Sequence, residues 1–238
     1  MKRVAGQTRD AILAAAAREF AARGYAGAGV DRIARQAGVN KAMIYYHFRN
    51  KQALYVEVLR DVFRLMGART TDIAEADLPP GAKIEAFIDA LDQMAEARPY
   101  MPPIMLREMA EGARRLDAAT LRLMAAIFRN LARILDQGAR LGVFRPADPT
   151  LTYFSLIAPV IFFRGTAPIR KAFGKARILA VRADSAAFVA TLKRTARAAL
   201  APVAEHRSAG AEAPAYAQTA HVSARGRRSR STRSGDHA

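Results

Sequence analysis

Apolar positions recur along this chain at helical intervals. Ile12, Ala16 and Phe20 fall four apart, with Leu13 and Ala17 beside them, which predicts a first helix with one apolar face. Gly24 is placed to end it, because glycine enters the left-handed C-cap without Cβ strain. A short helix is predicted from about residue 30 to 37, broken by Gly38. Asn40 caps a third over about 41–47, and Asn50 opens a longer one carrying Leu54, Val58, Phe63 and Met66. The stretch Asp77-Leu78-Pro79-Pro80-Gly81 is a clear break.

Beyond the break, a helix from Lys83 to about Ala97 buries Ile84, Phe87, Ile88 and Leu91. Pro99, Pro102 and Pro103 mark a connection. A short helix with Met105 and Met109 follows, then a long one from about Asp117 to Leu141. Thr150 to Arg164 reads as helix with a bend at Pro159, and a last helix runs from about Asp184 to Leu200. No stretch keeps a strand period or hairpin turn chemistry, so the fold class is all-α. From about Glu205 large apolar residues nearly vanish among Ala, Ser, Gly and Arg. Such a segment cannot bury enough surface to offset its ordering entropy, so 205–238 is expected to be a disordered basic tail.

Composition narrows the chemistry. The 238 residues include 38 Lys and Arg against 21 Asp and Glu, a formal net charge of +17, with no Cys and no Trp. The lack of Cys excludes a disulfide scaffold, thiolate catalysis and Cys-based metal sites. The charge favours a polyanionic partner, either nucleic acid or an acidic membrane surface. A signal peptide is not expected: the apolar run Ala11 to Ala17 follows Asp10 and is closed by Arg18 and Glu19. Leu151 to Phe163 is too short to span a bilayer and contains Thr152, Ser155 and Pro159. A soluble, cytoplasmic protein without a membrane partner is the expectation.

The chemistry-bearing pattern lies between Val30 and Phe48. Ala34 is small enough to let two helices approach, Gly38 supplies positive φ at the turn, and Ile44 packs the second helix on the first. Ile33, Ala37 and Val39 complete the apolar set. Those positions alone would also suit an ordinary helical hairpin. The surroundings say more: Lys41, Tyr45, Tyr46 and His47 crowd a helix of about two turns, and Arg49 and Lys51 follow. Polar and cationic groups on such a helix suit entry into a major groove, with its flanks on phosphates.

Here the sequence resembles the TetR/AcrR transcriptional regulators, from about Thr8 to Leu59. The resemblance is carried by Gly24-Tyr25, Val30, Ile33-Ala34, Ala37-Gly38-Val39, the run Lys41 to Phe48, Asn50-Lys51 and Leu54. It implies a helix-turn-helix domain over 1–50, a connecting fourth helix over 51–75, and an effector-binding and dimerisation domain over 76–204. The implied DNA-contacting set is Gly29, Asn40, Lys41, Ala42, Met43, Tyr45, Tyr46, His47 and Lys51. Lys41, Ala42 and Met43 would face base edges, and Lys51 would meet a phosphate. Tyr45 also has a core reading, one place after Ile44. Ala28 and Gly29 stand where the family usually has Ser or Thr, so a backbone N–H would replace the hydroxyl contact. Met43 offers apolar contact, such as to a thymine methyl.

In the C-terminal half, Thr150 to Arg164 is apolar on nearly all sides and needs cover on more than one face. A second subunit or a central place in a monomeric bundle would each supply it. The resemblance implies a homodimer, with Phe154, Ile157, Ile161, Phe188 and Leu192 as interface residues. Met101, Met105 and Met109 recur every four residues. They read either as plain core or, with Phe87, Met94, Phe128 and Tyr153, as the lining of an adaptable effector pocket. Arg107-Glu108 and Glu111 with Arg114-Arg115 read as solvated surface pairs, and Arg129 and Arg133 as a surface stripe.

The expected function is a DNA-binding regulator, most simply a dimeric repressor released from a palindromic operator by a small-molecule effector. The alternative is a non-specific nucleic-acid or acidic-surface binder. An enzyme is not expected: four His, three of them at 206, 221 and 237, form no metal pair, and no cofactor or metal is implied. The charge is spread rather than concentrated, with +6 in residues 1–75, +8 in 76–204 and +3 in 205–238. Arg225, Arg227, Arg228, Arg230 and Arg233 lie close together without an acid, which suits weak phosphate contact.

Overall fold

A computed structural model describes residues 5–178 and 184–202. Every regular element among them is an α-helix. The first four are α1 (Ala5–Gly27), α2 (Val30–Ala37), α3 (Lys41–His47) and α4 (Lys51–Glu75). They are followed by α5 (Pro80–Ala97), α6 (Met101–Ala110), α7 (Ala118–Arg140), α8 (Pro149–Gly165), α9 (Ala167–Lys175) and α10 (Ser185–Leu200). The expected tail over 205–238 lies outside the described residues.

Local chemistry sets the helix ends. Asn40, Asn50, Asp117, Asp148 and Asp184 each accept a backbone N–H three residues on, fixing the starts of α3, α4, α7, α8 and α10. Each such cap contributes about 1 kcal/mol. Gly38 ends α2 in the left-handed region at φ 67°, and Val39 N–H returns to the Ala34 carbonyl at 3.0 Å. Gly24 leaves helical geometry at φ 67°, ψ 176°, so the expected end of α1 is a break, with one more turn to Gly27 beyond it.

Three sequence expectations change. Pro102 and Pro103 belong to α6, near its start, because proline's missing N–H is no loss in a first turn. The helix after the break starts at Pro80, not Lys83, for the same reason. Helix α9 lies outside the elements the sequence predicts: its nine residues carry one apolar pair at helical spacing, Ile169 and Phe173, and none of them is buried.

Two regions share one apolar interior. Ile12, Ala16 and Phe20 of α1 pack with Ile33 and Ala34 of α2 and Ile44 of α3. Helix α4 buries Leu54, Val58 and Leu59 near its start, and Phe63, Met66 and Ile73 further on. It lies against α1 at one end and α5 and α7 along its length, joining the N-terminal helices to the bundle. Two buried charged groups are paired. Asp92 takes two hydrogen bonds from Arg164, at 2.9 and 2.7 Å. Lys83 Nζ donates to the Ala74 carbonyl and to Gln137 Oε1.

Candidate nucleic-acid interface and ligand cavity

Helix α3 sends one side chain, Ile44, fully inward. Lys41, Ala42, Tyr45 and Tyr46 are exposed, while Met43 and His47 are half-buried. Tyr45 is 45% exposed and Tyr46 79%, so the core reading of Tyr45 gives way to a solvent-facing one. A two-turn helix presenting cationic, hydroxyl and small groups outward, with one aliphatic anchor, is shaped to lie in a groove. Asn40 is committed to its cap, accepting Met43 N–H at 2.9 Å. Lys41 Nζ sits 3.1 Å from Asp31, whose hydrogen bond and charge raise the lysine pKa.

Lys51 turns towards α1. Its Nζ donates to the Ala26 carbonyl at 3.3 Å and lies 4.7 Å from the centre of the Tyr25 ring. Burial lowers its pKa, and the charges of Arg115 and Arg32 act in the same direction. Among the described residues, His47 Nε2 is buried without a hydrogen-bond partner.

The start of α2 has no side-chain cap, and Glu19 fills part of that role. Its carboxylate accepts from Gly29 N–H at 3.3 Å, Arg32 Nε at 2.5 Å and Gln36 Nε2 at 3.3 Å. Burial pushes its pKa up, but the Arg32 and Gly29 hydrogen bonds and the charges of Arg32 and Arg23 outweigh that and hold it low. Sequence reasoning missed Glu19. The signal was present: it lies seven residues after Ile12, where helical spacing reserves an apolar residue.

Helix α6 links two regions. Arg107 donates to the Phe20 carbonyl at 3.2 Å and to that of Ala21. Tyr55 Oη donates to Glu108 Oε2 at 2.6 Å, and Arg115 N–H donates to Glu108 Oε1 at 3.1 Å. Burial raises the Tyr55 pKa, and the Glu108 hydrogen bond adds to it. The Tyr25 ring is flanked by Lys51 and by the Arg115 guanidinium, at 4.5 Å. The surface reading of Glu108 is therefore overturned, since it is 1% exposed and bonds α4, while Arg107 is exposed but bonds α1 and Glu111 pairs with Arg115 as expected. Arg129 is exposed and Arg133 pairs with Glu75 at the surface.

On the bundle side, α6 borders a cavity of about 80 Å³. Met66, Met94, Met101, Met105, Met109 and Met124 line it. Tyr153 completes the part of the expected pocket set that reaches the cavity. Phe87 is buried outside its lining, and the Phe128 ring tilts against that of Tyr153, centroids 4.0 Å apart. Burial raises the Tyr153 pKa to about 12. Three residues expected at a subunit interface, Phe154, Ile157 and Ile161, also border the cavity. Ile161 and Leu192 are buried within the subunit, and Phe188 stacks on Phe163 at 4.1 Å. The exposed large apolar side chains of α8 are Leu151, Phe162 and, from the expected interface set, Phe154.

Residues 12–58, which span this helix-turn-helix, match the family profile of bacterial regulatory proteins of the tetR family. The chain carries a TetR-family helix-turn-helix. Among its relatives, the HTH-type transcriptional regulator RutR of Escherichia coli K12 is 28% identical over 70% of this chain and 78% of RutR. The HTH-type transcriptional repressor NicS of Pseudomonas putida is 25% identical over 67% of this chain and 76% of its own. A crystal structure of a TetR family transcription regulator from Marinobacter aquaeolei shares the fold, with a TM-score of 0.66 at 18% identity, over 83% of this chain and 97% of that one. The profile match falls on the N-terminal helices and supports a DNA-binding regulator. Among the described residues, no single helix is long and apolar enough to cross a membrane.

Proposed function

We propose that this regulator is a homodimeric repressor that a small molecule releases from a palindromic operator. Two α3 helices, one from each subunit, would enter successive major-groove faces, with Lys41, Ala42 and Met43 at base edges and Tyr45, Tyr46 and His47 along the groove. Gly29, Asn40 and Lys51 would lie on the flanking phosphate side, Lys51 exchanging Tyr25 and the Ala26 carbonyl for phosphate. The exposed row Leu151, Phe154 and Phe162 on α8 supports a second subunit, which would cover it. A dimer spans two half-sites and multiplies discrimination between sequences. Its place of action is the cytoplasm, where chromosomal DNA is accessible, and its role is regulation, not catalysis.

One observation carries the reading. Helix α6 lines the cavity with Met101, Met105 and Met109, while its Arg107 and Glu108 hold α1 and α4. A ligand that displaces α6 changes contacts on the helix that leads directly out of the recognition helix. It shifts operator affinity by as much as it prefers one arrangement over the other. The resemblance of the chain to a named repressor, NicS, supports the sign of regulation.

The test is selection of bound sites from a random DNA library by the purified protein, followed by competition. A palindromic site should outcompete random duplex by at least about 10³. Equal competition would establish the non-specific binder instead. Placed between a promoter and a reporter, the site should lower transcription when the protein is present, and a rise would mark an activator.

A further inference from the structure

The chain holds eight methionines, and six of them converge on the methionine-lined cavity beside α6. No Asp, Glu, Lys, Arg or His lines it. Tyr153 brings the one side-chain hydroxyl on that lining. Its side chain is more than nine-tenths buried, and among the described residues its hydroxyl has no hydrogen-bond partner. An ionised ligand seated here would surrender its hydration and find no countercharge, a loss far greater than a neutral polar group suffers.

Resting on the effector reading above, we infer that the effector is an uncharged molecule of mainly hydrocarbon surface, carrying at most one polar group, which pairs with the Tyr153 hydroxyl. The cavity is smaller than the roughly 300–1,000 Å³ of pockets that enclose drug-sized ligands. A ligand of eight or more heavy atoms must therefore push the lining aside. Methionine is suited to that, because its unbranched thioether re-packs around varied shapes. Met109 and Phe154 are both half exposed and border the cavity, so they mark its route to solvent. Three of the movable methionines sit on α6, so filling the cavity acts on the helix that carries Arg107 and Glu108.

The test uses the full chain and three probes that share one hydrocarbon tail: octanol, octanoate and octyltrimethylammonium, below their micelle concentrations. Binding is followed by displacement of the neutral dye N-phenylnaphthylamine, and in parallel by release of the selected operator. Octanol should displace the dye at a concentration at least tenfold below either ion. Lengthening the alcohol should tighten binding about three- to fourfold per methylene until the lining can yield no further. Met124→Phe and, independently, Ile157→Phe narrow the cavity and should abolish displacement. Tyr153→Phe should weaken octanol threefold or more and leave octane unchanged. Equal potency of the ions, no displacement by octanol, or displacement that survives both narrowing variants overturns the ligand class. Octanol that binds without altering operator affinity leaves the class standing and removes the effector reading. Operator release by an ion when octanol does not bind does the reverse.

Discussion

The Tyr55 hydroxyl donates to the Glu108 carboxylate across 2.6 Å, joining two residues 53 positions apart in the chain. Tyr55 lies in the first turns of the helix that follows the recognition helix, and Glu108 lies on the helix that borders the cavity. Tyr55→Phe leaves the ring in place and removes one donor from a buried carboxylate. It should destabilise the fold by about 1–3 kcal/mol, the usual cost of an unsatisfied buried group. It should also weaken operator release by a cavity ligand while leaving ligand binding intact. Urea unfolding measures the first effect, and paired titrations of ligand and operator the second.

Glu19 holds the start of α2 through its carboxylate, so Glu19→Gln should loosen the helix pair. Hydrogen bonds to a charged group contribute about 1.5–3 kcal/mol, and the amide keeps only part of that. The wild-type carboxyl titrates below its ordinary value in the folded state. Its contribution is therefore complete above the unfolded pKa of roughly 4.3 and is lost as pH falls through the lower folded value. Acid-titrated urea midpoints of wild type and Glu19→Gln should converge at low pH. Parallel curves would remove the role.

Asp31 neutralises Lys41 at the start of the recognition helix. Asp31→Asn keeps the size and frees the cation for phosphate or base contact. Operator affinity should rise, and the slope of log affinity against log salt should steepen by roughly one unit, as one more cation engages. Because the pair is exposed, stability should change by no more than about 0.5 kcal/mol. A salt series of binding isotherms checks both.

Gly138 sits on α7 under the ring of Phe144, and a Cβ there would fall 1.9 Å from Phe144 Cδ2 and 2.6 Å from Cγ. Contact with the root of the ring as well as its edge means that Phe144 cannot yield by a small rotation. Gly138→Ala should destabilise by about 1–3 kcal/mol through overpacking, despite alanine's higher helix propensity. The urea midpoint reports it, and Phe144→Ala in the same chain should remove most of the penalty.

The caps and the short third helix were legible in the sequence because both are local. Asn40 and Asn50 bond three residues on, and the Ala34, Gly38 and Ile44 spacing acts within eleven residues. The methionine stripe at 101, 105 and 109 was visible for the same reason, but its partners Met66 and Met124 come from other helices. Helix α9 gives only a faint signal, because its nine residues hold a single apolar pair at helical spacing, Ile169 and Phe173, and bury neither. Glu108 carried no sign of burial, since a Glu beside an Arg looks like any surface pair until Tyr55 arrives from α4. Tyr45 could not be assigned from periodicity on a helix this short, where a single turn separates the inward and outward faces.

The break at Gly24 has a mechanical meaning. Regular helical geometry is interrupted there, and the carbonyls of Phe20 and Ala21, in the turn before the break, accept from Arg107. A guanidinium at the negative end of a helix dipole forms a directional latch, strong when aligned and quickly weakened by displacement. It either engages or releases, where apolar packing alone would let the two helices slide. Gly24→Ala, which strains the positive φ, would damage that latch from the DNA-binding side without touching DNA or the cavity.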